Sequence, residues 1–105
     1  MKIHLTNQAA HGLIELIQFL MVSYPPENKA EKILHELVGQ IRIKVRNRIE
    51  RGFSQSGYTF TLSIEHSLAF DLYMEQMRPS IPEKKFGYEK TITLSITNLS
   101  DKMYG

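Results

Sequence analysis

Thr59-Phe60-Thr61-Leu62-Ser63-Ile64 and Thr91-Ile92-Thr93-Leu94-Ser95-Ile96 are two hexads with nearly the same spelling. In each, apolar side chains alternate with hydroxyls, the period of two that an extended strand with one buried face imposes. The pair predicts a sheet with Phe60, Leu62, Ile64, Ile92, Leu94 and Ile96 on its core side. Thr59, Thr61, Ser63, Thr91, Thr93 and Ser95 then form the opposite, hydroxyl-rich face. Phe86 and Tyr88 share the parity of the second hexad, so that strand is expected to start as early as Phe86. The connection between the hexads is long enough for either a parallel crossover or an antiparallel return.

Outward from the hexads, the chain reads as helices that cover the apolar face. Met1 to Thr6 alternates weakly and is expected as a short first strand. Thr6 or Asn7 can cap a helix from Gln8 to Ser23, whose apolar residues cover more than half its circumference. Tyr24-Pro25-Pro26 ends it. A long second helix is expected from about Glu27, with Ala30, Ile33, Leu34, Leu37, Ile41, Val45 and Ile49 in one stripe and Gly52 as its stop. Ile41 to Arg46 also alternates as a strand would, but the continuous stripe favours helix there. Gly39 costs that helix about 1 kcal/mol relative to Ala. A turn at Phe53–Gly57 leads into the strand Tyr58–Ile64, and Glu65 to Arg78 is expected as a third helix with Leu68, Phe70, Leu72, Tyr73 and Met77 inward. Pro79 and Pro82 bracket a loop, and residues 97–105 are expected as a tail that frays or docks. The expected fold is a single α+β domain over residues 1–105: two layers, with two or three helices packed on one face of a small two- or three-stranded sheet.

Composition narrows the function classes. The chain has 105 residues, no Cys and a net charge of +2. The absence of Cys excludes disulfides, thiolate nucleophiles and Cys-type zinc sites, and fits a cytoplasmic setting. Glu15 and Gln18 interrupt the apolar run Leu13–Val22, which is too short for a membrane span and lacks the pattern of a signal peptide. His4, His11, His35 and His66 form no ligand pair of metal-site spacing, so neither a metal nor a cofactor is expected. Ser63-Ile64-Glu65-His66-Ser67 gathers a hydroxyl, an acid and an imidazole, but adjacency in sequence does not position a base on a nucleophile. The chain reads as a non-enzyme.

Two surfaces are candidates for a partner. A sheet of few strands has edges and an uncharged hydroxyl face, which points to a binding or adaptor module acting through protein contacts, including pairing with itself as a homodimer. The alternative is nucleic-acid binding through Arg42, Lys44, Arg46, Arg48 and Arg51, extended by Lys84 and Lys85 if the fold brings that loop near. Lys84-Lys85-Phe86-Gly87-Tyr88 shares the basic-aromatic-Gly-aromatic order of an RNA-binding strand. It departs from that pattern at Lys85, Glu89 and Thr91, and the element order differs, so the match is read as coincidence. A third possibility is a small-molecule cavity lined by aromatic residues such as Tyr58, Tyr73 and Phe86.

Overall fold

The first helix begins where Thr6 accepts a hydrogen bond from the Ala9 N–H, the cap that the sequence offers. In the computed structural model, which describes Met1–Gly105, strand β1 (Lys2–Leu5) precedes helix α1 (Asn7–Ser23). Helix α2 (Lys29–Glu50), strand β2 (Tyr58–Thr61), helix α3 (Ile64–Met77) and helix α4 (Glu83–Tyr104) follow. Asn28 caps α2 and Ser63 caps α3. Each such cap stabilises its helix by about 1 kcal/mol. The chain is α+β and dominated by helix. No helix is long and apolar enough to cross a membrane.

The strands β1 and β2 pair antiparallel, with Lys2 opposite Thr61 and Leu5 opposite Tyr58. Ile3, Leu5, Tyr58 and Phe60 are buried, while Lys2, His4, Thr59 and Thr61 are exposed. The return into β2 needs Gly57. Its φ is +88°, and a Cβ there would sit 2.5 Å from the Leu5 carbonyl oxygen. Only glycine fits both demands. Asn7 ties the turn to α1: it accepts from the Tyr58 hydroxyl at 2.7 Å and donates to the Ser54 carbonyl.

The core runs through Leu13, Leu16, Ile17 and Leu20 of α1 and Val38, Ile41 and Val45 of α2. Burial of each such side chain is worth about 1.5–3 kcal/mol. The region Ile41–Arg46 is helical, on the continuous stripe that favoured helix. Ile33 lies outward and Val38 inward, so the stripe turns by about one position from the expected one. In α3, Phe70 and Tyr73 are buried as expected, but Leu68 and Leu72 face outward and Ser67, Ala69 and Met74 take the inner places.

The second hexad is a correction. Thr91–Ile96 lies inside α4 and forms no strand, so the sheet has two strands and the two hexads do not share a face. Within α4, Phe86, Thr93, Ile96 and Ser100 are buried, a spacing of seven, three and four that belongs to a helix. Strand parity fails on particular residues. Thr93 is fully buried, Leu94 is 40% exposed, and Ile64 is 47% exposed as the first residue of α3. The hydroxyls make the helix tolerable. Thr91 donates to the Tyr88 carbonyl at 2.6 Å, Thr93 to that of Lys90 at 2.7 Å and Ser95 to that of Thr91 at 3.1 Å. Thr93 is therefore buried with its donor satisfied, which removes most of the cost of taking a hydroxyl out of water. Residues 97–104 continue α4 with Ser100 buried.

Helix and strand readings separate on one pair. Leu94 and Ile96 share a face on a strand and lie on opposite sides of a helix. Ile96→Ala is expected to cost about 2–5 kcal/mol in urea melts, and Leu94→Ala less than about 1 kcal/mol. Equal losses would return the segment to a sheet.

Candidate groove between α1, α2 and α4

A groove of about 490 Å³ opens along α1, where Ile14, Phe19 and Val22 form an apolar floor with Phe86 of α4. Phe86 reaches it because α4 is broken at that residue, with φ −125° and ψ 28° between helical neighbours. The break turns the ring onto Phe19, with centroids 5.3 Å apart at 45°. Edge-tilted aromatic pairs of this kind add about 0.5–1.5 kcal/mol beyond their burial. Val22, at the end of the floor, is 71% exposed.

Two cations and one acid stand around this floor. Arg42 comes from α2, Lys85 from the first turn of α4 and Glu15 from α1. The Lys85 ammonium lies 5.6 Å from the Phe19 ring centroid and 5.2 Å from that of Phe86. The Nε of Arg42 is buried without a hydrogen-bond partner. The ion pairs of the chain are Arg46–Glu50 and Lys90–Glu83, so Arg42, Lys85 and Glu15 enter neither. An unpaired cation beside an apolar surface attracts an anion more strongly than one in open water.

The basic segment of α2 does not act as one patch. At 100° per residue, Arg42 and Arg46 lie on one side of the helix, and Lys44, Arg48 and Arg51 on the other. Arg46 pairs with Glu50 at 3.8 Å, and the Arg48 guanidinium stacks over Tyr58 at 4.9 Å. Lys44 donates to the Thr61 carbonyl, and Arg51 is the exposed C-cap of α2. The fold does place Lys85, though not Lys84, on the same groove as Arg42. The six hydroxyl residues also separate: Thr59 and Thr61 are exposed on β2, Ser63 caps α3, and Thr91, Thr93 and Ser95 ride on α4. Of the three aromatic residues expected around a cavity, Phe86 lines the groove, whereas Tyr58 and Tyr73 are core. Burial pushes the Tyr73 hydroxyl up to about 12. The groove's floor was missed in sequence. Its signal was the surplus of apolar residues on α1, more than one contact face can bury.

The start of α3 assembles a second polar group. The Ser63 hydroxyl donates to Nδ1 of His66 at 2.7 Å, and His66 Nε2 donates to Gln40 Oε1 at 2.7 Å. Ser63 Oγ also accepts the His66 backbone N–H at 3.1 Å, so the hydroxyl is spent on capping. Glu65 is held below the usual carboxylate range, chiefly by its own backbone N–H. The hollow beside these groups, about 50 Å³, has room for little more than water. Of the other histidines, His4 bonds Thr59 Oγ1 and the Ser56 carbonyl, His11 is exposed on α1, and His35 lines a small crevice with Tyr24 and Tyr73.

Between α3 and α4 lies Asp71. Burial raises its carboxyl above the ordinary value and Asp101 adds to the rise, while the Ser100 and Thr97 hydroxyls and Arg78 oppose it. Arg78 is itself tied to Thr97 Oγ1 at 3.2 Å. A folded-state pKa above the unfolded one means that Asp71 favours folding below the ordinary carboxylate range. That contribution is lost as pH rises through the raised value. Asp71→Asn is therefore expected to gain stability relative to the parent between mildly acidic and neutral pH in urea melts. A pH-independent difference would contradict this.

Comparison of the chain with protein-family models, curated proteins and solved structures found no match.

Proposed function

We propose that this chain is a non-enzymatic binding module acting through protein contacts, and that the α1–α2–α4 groove is its working surface. One observation carries the reading: Arg42 and Lys85, supplied by different elements, stand unpaired over a common apolar floor. The partner that fits is a segment with a large apolar side chain flanked by carboxylates, as an acidic amphipathic helix presents. The groove's volume lies in the range of sites that bury a ligand's apolar part, and its open form suits a side chain entering from another protein. Placement of the helices on one face of the sheet, as two layers, fits the burial of Ile3, Leu5, Tyr58 and Phe60 against exposed Lys2, His4, Thr59 and Thr61. Such a layering leaves the groove free on the helical side.

The test uses a fluorescein-labelled peptide with Leu and Phe one helical turn apart between Glu residues, read by anisotropy. Binding is expected to weaken as salt rises, and Arg42→Gln or Lys85→Gln to weaken it by roughly 3–10-fold. Arg46→Gln, whose guanidinium pairs with Glu50, is expected to change it little. Tighter binding of labelled duplex DNA, lost equally in the Arg46 and Arg42 variants, would assign the segment to nucleic acid instead. No peptide binding at low salt would overturn the reading.

A further inference from the structure

We infer that the free edge of β1, with the apolar flank of α4 beside it, is where two copies of this chain pair strand to strand. The inference does not rest on the groove. Met1 and Leu62 exchange hydrogen bonds at 2.8 Å in both directions, which fixes the alternation along the ladder. The backbone N–H and C=O groups of Lys2 and His4 therefore point away from β2, and those of Thr59 and Thr61 point away from β1. The two edges are treated differently. On the β2 side, Lys44 reaches across from α2 and donates to the Thr61 carbonyl, a charged side chain of the kind that protects strand edges. On the β1 side, the turn, loop and cap bonds of the backbone include none to Lys2 or His4.

Beside the β1 edge is a hollow of about 260 Å³, walled by Ile3 and Leu5 on one side and by Tyr88, Ile92 and Leu99 of α4 on the other. Tyr88, Ile92, Ser95, Leu99 and Met103 follow one flank of α4 at helical spacing, next to its buried stripe. Tyr88, Leu99 and Met103 on that flank are exposed. An occupant must be extended, to satisfy the edge, and must bring apolar cover for the flank.

A second copy does both, and its charges select the register. An antiparallel pair of β1 strands joins the outward groups of even-numbered residues. Lys2 can then oppose Lys2 of the second copy, His4 can oppose His4, or Lys2 can oppose His4. The first sets two ammonium groups against each other, which destabilises a sheet. The second leaves Lys2 beyond the end of the other strand. The third places an ammonium beside an imidazole, uses all four outward residues and sets Ile3 against Ile3. It also keeps Met1, Ile3 and Leu5 of both copies on one face, so the core side of one sheet runs into the other. The two-fold axis brings the exposed α4 flank of each copy toward its counterpart, whereas a lone peptide strand would cover only the edge.

Sedimentation velocity on the full chain from low to high micromolar concentration tests this. The expected result is a reversible dimer in which the His4 amide is protected from hydrogen exchange. Lys2→Pro removes one outward N–H at the first position of an edge strand, where proline is tolerated, and leaves the β2 ladder intact. It is expected to weaken the dimer by roughly tenfold or more. Leu99→Lys is expected to do the same from the helical side, with helicity unchanged by circular dichroism. If Lys2→Pro fails to fold, Leu99→Lys and the His4 amide carry the test. Leu72→Lys, on the exposed face of α3, is expected to leave the dimer intact. A monomer at high micromolar concentration would overturn the inference. So would a dimer broken by Leu72→Lys and indifferent to Leu99→Lys.

Discussion

The packing of α4 against α1 is the constraint on which the rest depends. Gly12 is buried, and a Cβ there would lie 2.6 Å from the Glu89 carboxylate, whose side chain crosses the space that glycine leaves. On the same helix Thr93 is buried with its donor bonded one turn back to the Lys90 carbonyl. The helix so held is intrinsically poor. Gly87, Thr91, Ile92, Thr93, Ile96 and Thr97 all rank low in helix propensity, at about 0.5–1 kcal/mol each relative to Ala. Tertiary packing rather than local preference keeps α4 helical.

Two surfaces follow from that placement. At the N-terminal end, the break at Phe86 carries the ring to Phe19 and sets Lys85 across from Arg42, which creates a cationic rim around an apolar floor. Further along, the flank bearing Tyr88, Ile92 and Leu99 comes to stand beside the strand β1. A strand at residues 91–96 would abolish both. The division of labour among the basic residues of α2 follows from the same geometry. Arg48 is held by Tyr58 and Lys44 by the β2 edge, so positive charge that looks uniform in sequence is partly used inside the fold.

Much of the fold was legible in the residues. The cap at Thr6, the stop after Ser23, the helical stripe through Ile41 and Val45, and the strands at Lys2–Leu5 and Tyr58–Thr61 all follow local rules that the tertiary structure respects. The second hexad failed for a physical reason. The buried residues of the helix there are Thr93 and Ile96 inside the hexad and Ser100 one turn beyond it, and two of the three are hydroxyls that a hydrophobic period does not register. Thr59 to Thr61 kept its extended form because Gly57 aims it at β1 and Ser63 ends it by capping α3. Leu68 and Leu72 misled for the converse reason: they are apolar residues that the fold leaves in water. The groove was half legible. Lys85 was visible as a possible extension of the α2 cations, but its meeting with Arg42 depends on α4 and so on the element that the hexad disguised.

The central claim is that Thr91–Ile96 is helical because α4 packs along α1, with the Glu89 side chain lying over Gly12. The most direct measurement is a backbone assignment of the isotope-labelled full chain by NMR, read for carbon secondary shifts across residues 91–96 and for nuclear Overhauser contacts from Gly12 Hα. The account predicts helical shifts throughout the hexad and contacts from Gly12 to the Glu89 side chain. Extended-type shifts at Thr91–Ile96, with cross-strand contacts to Thr59–Thr61, would contradict it.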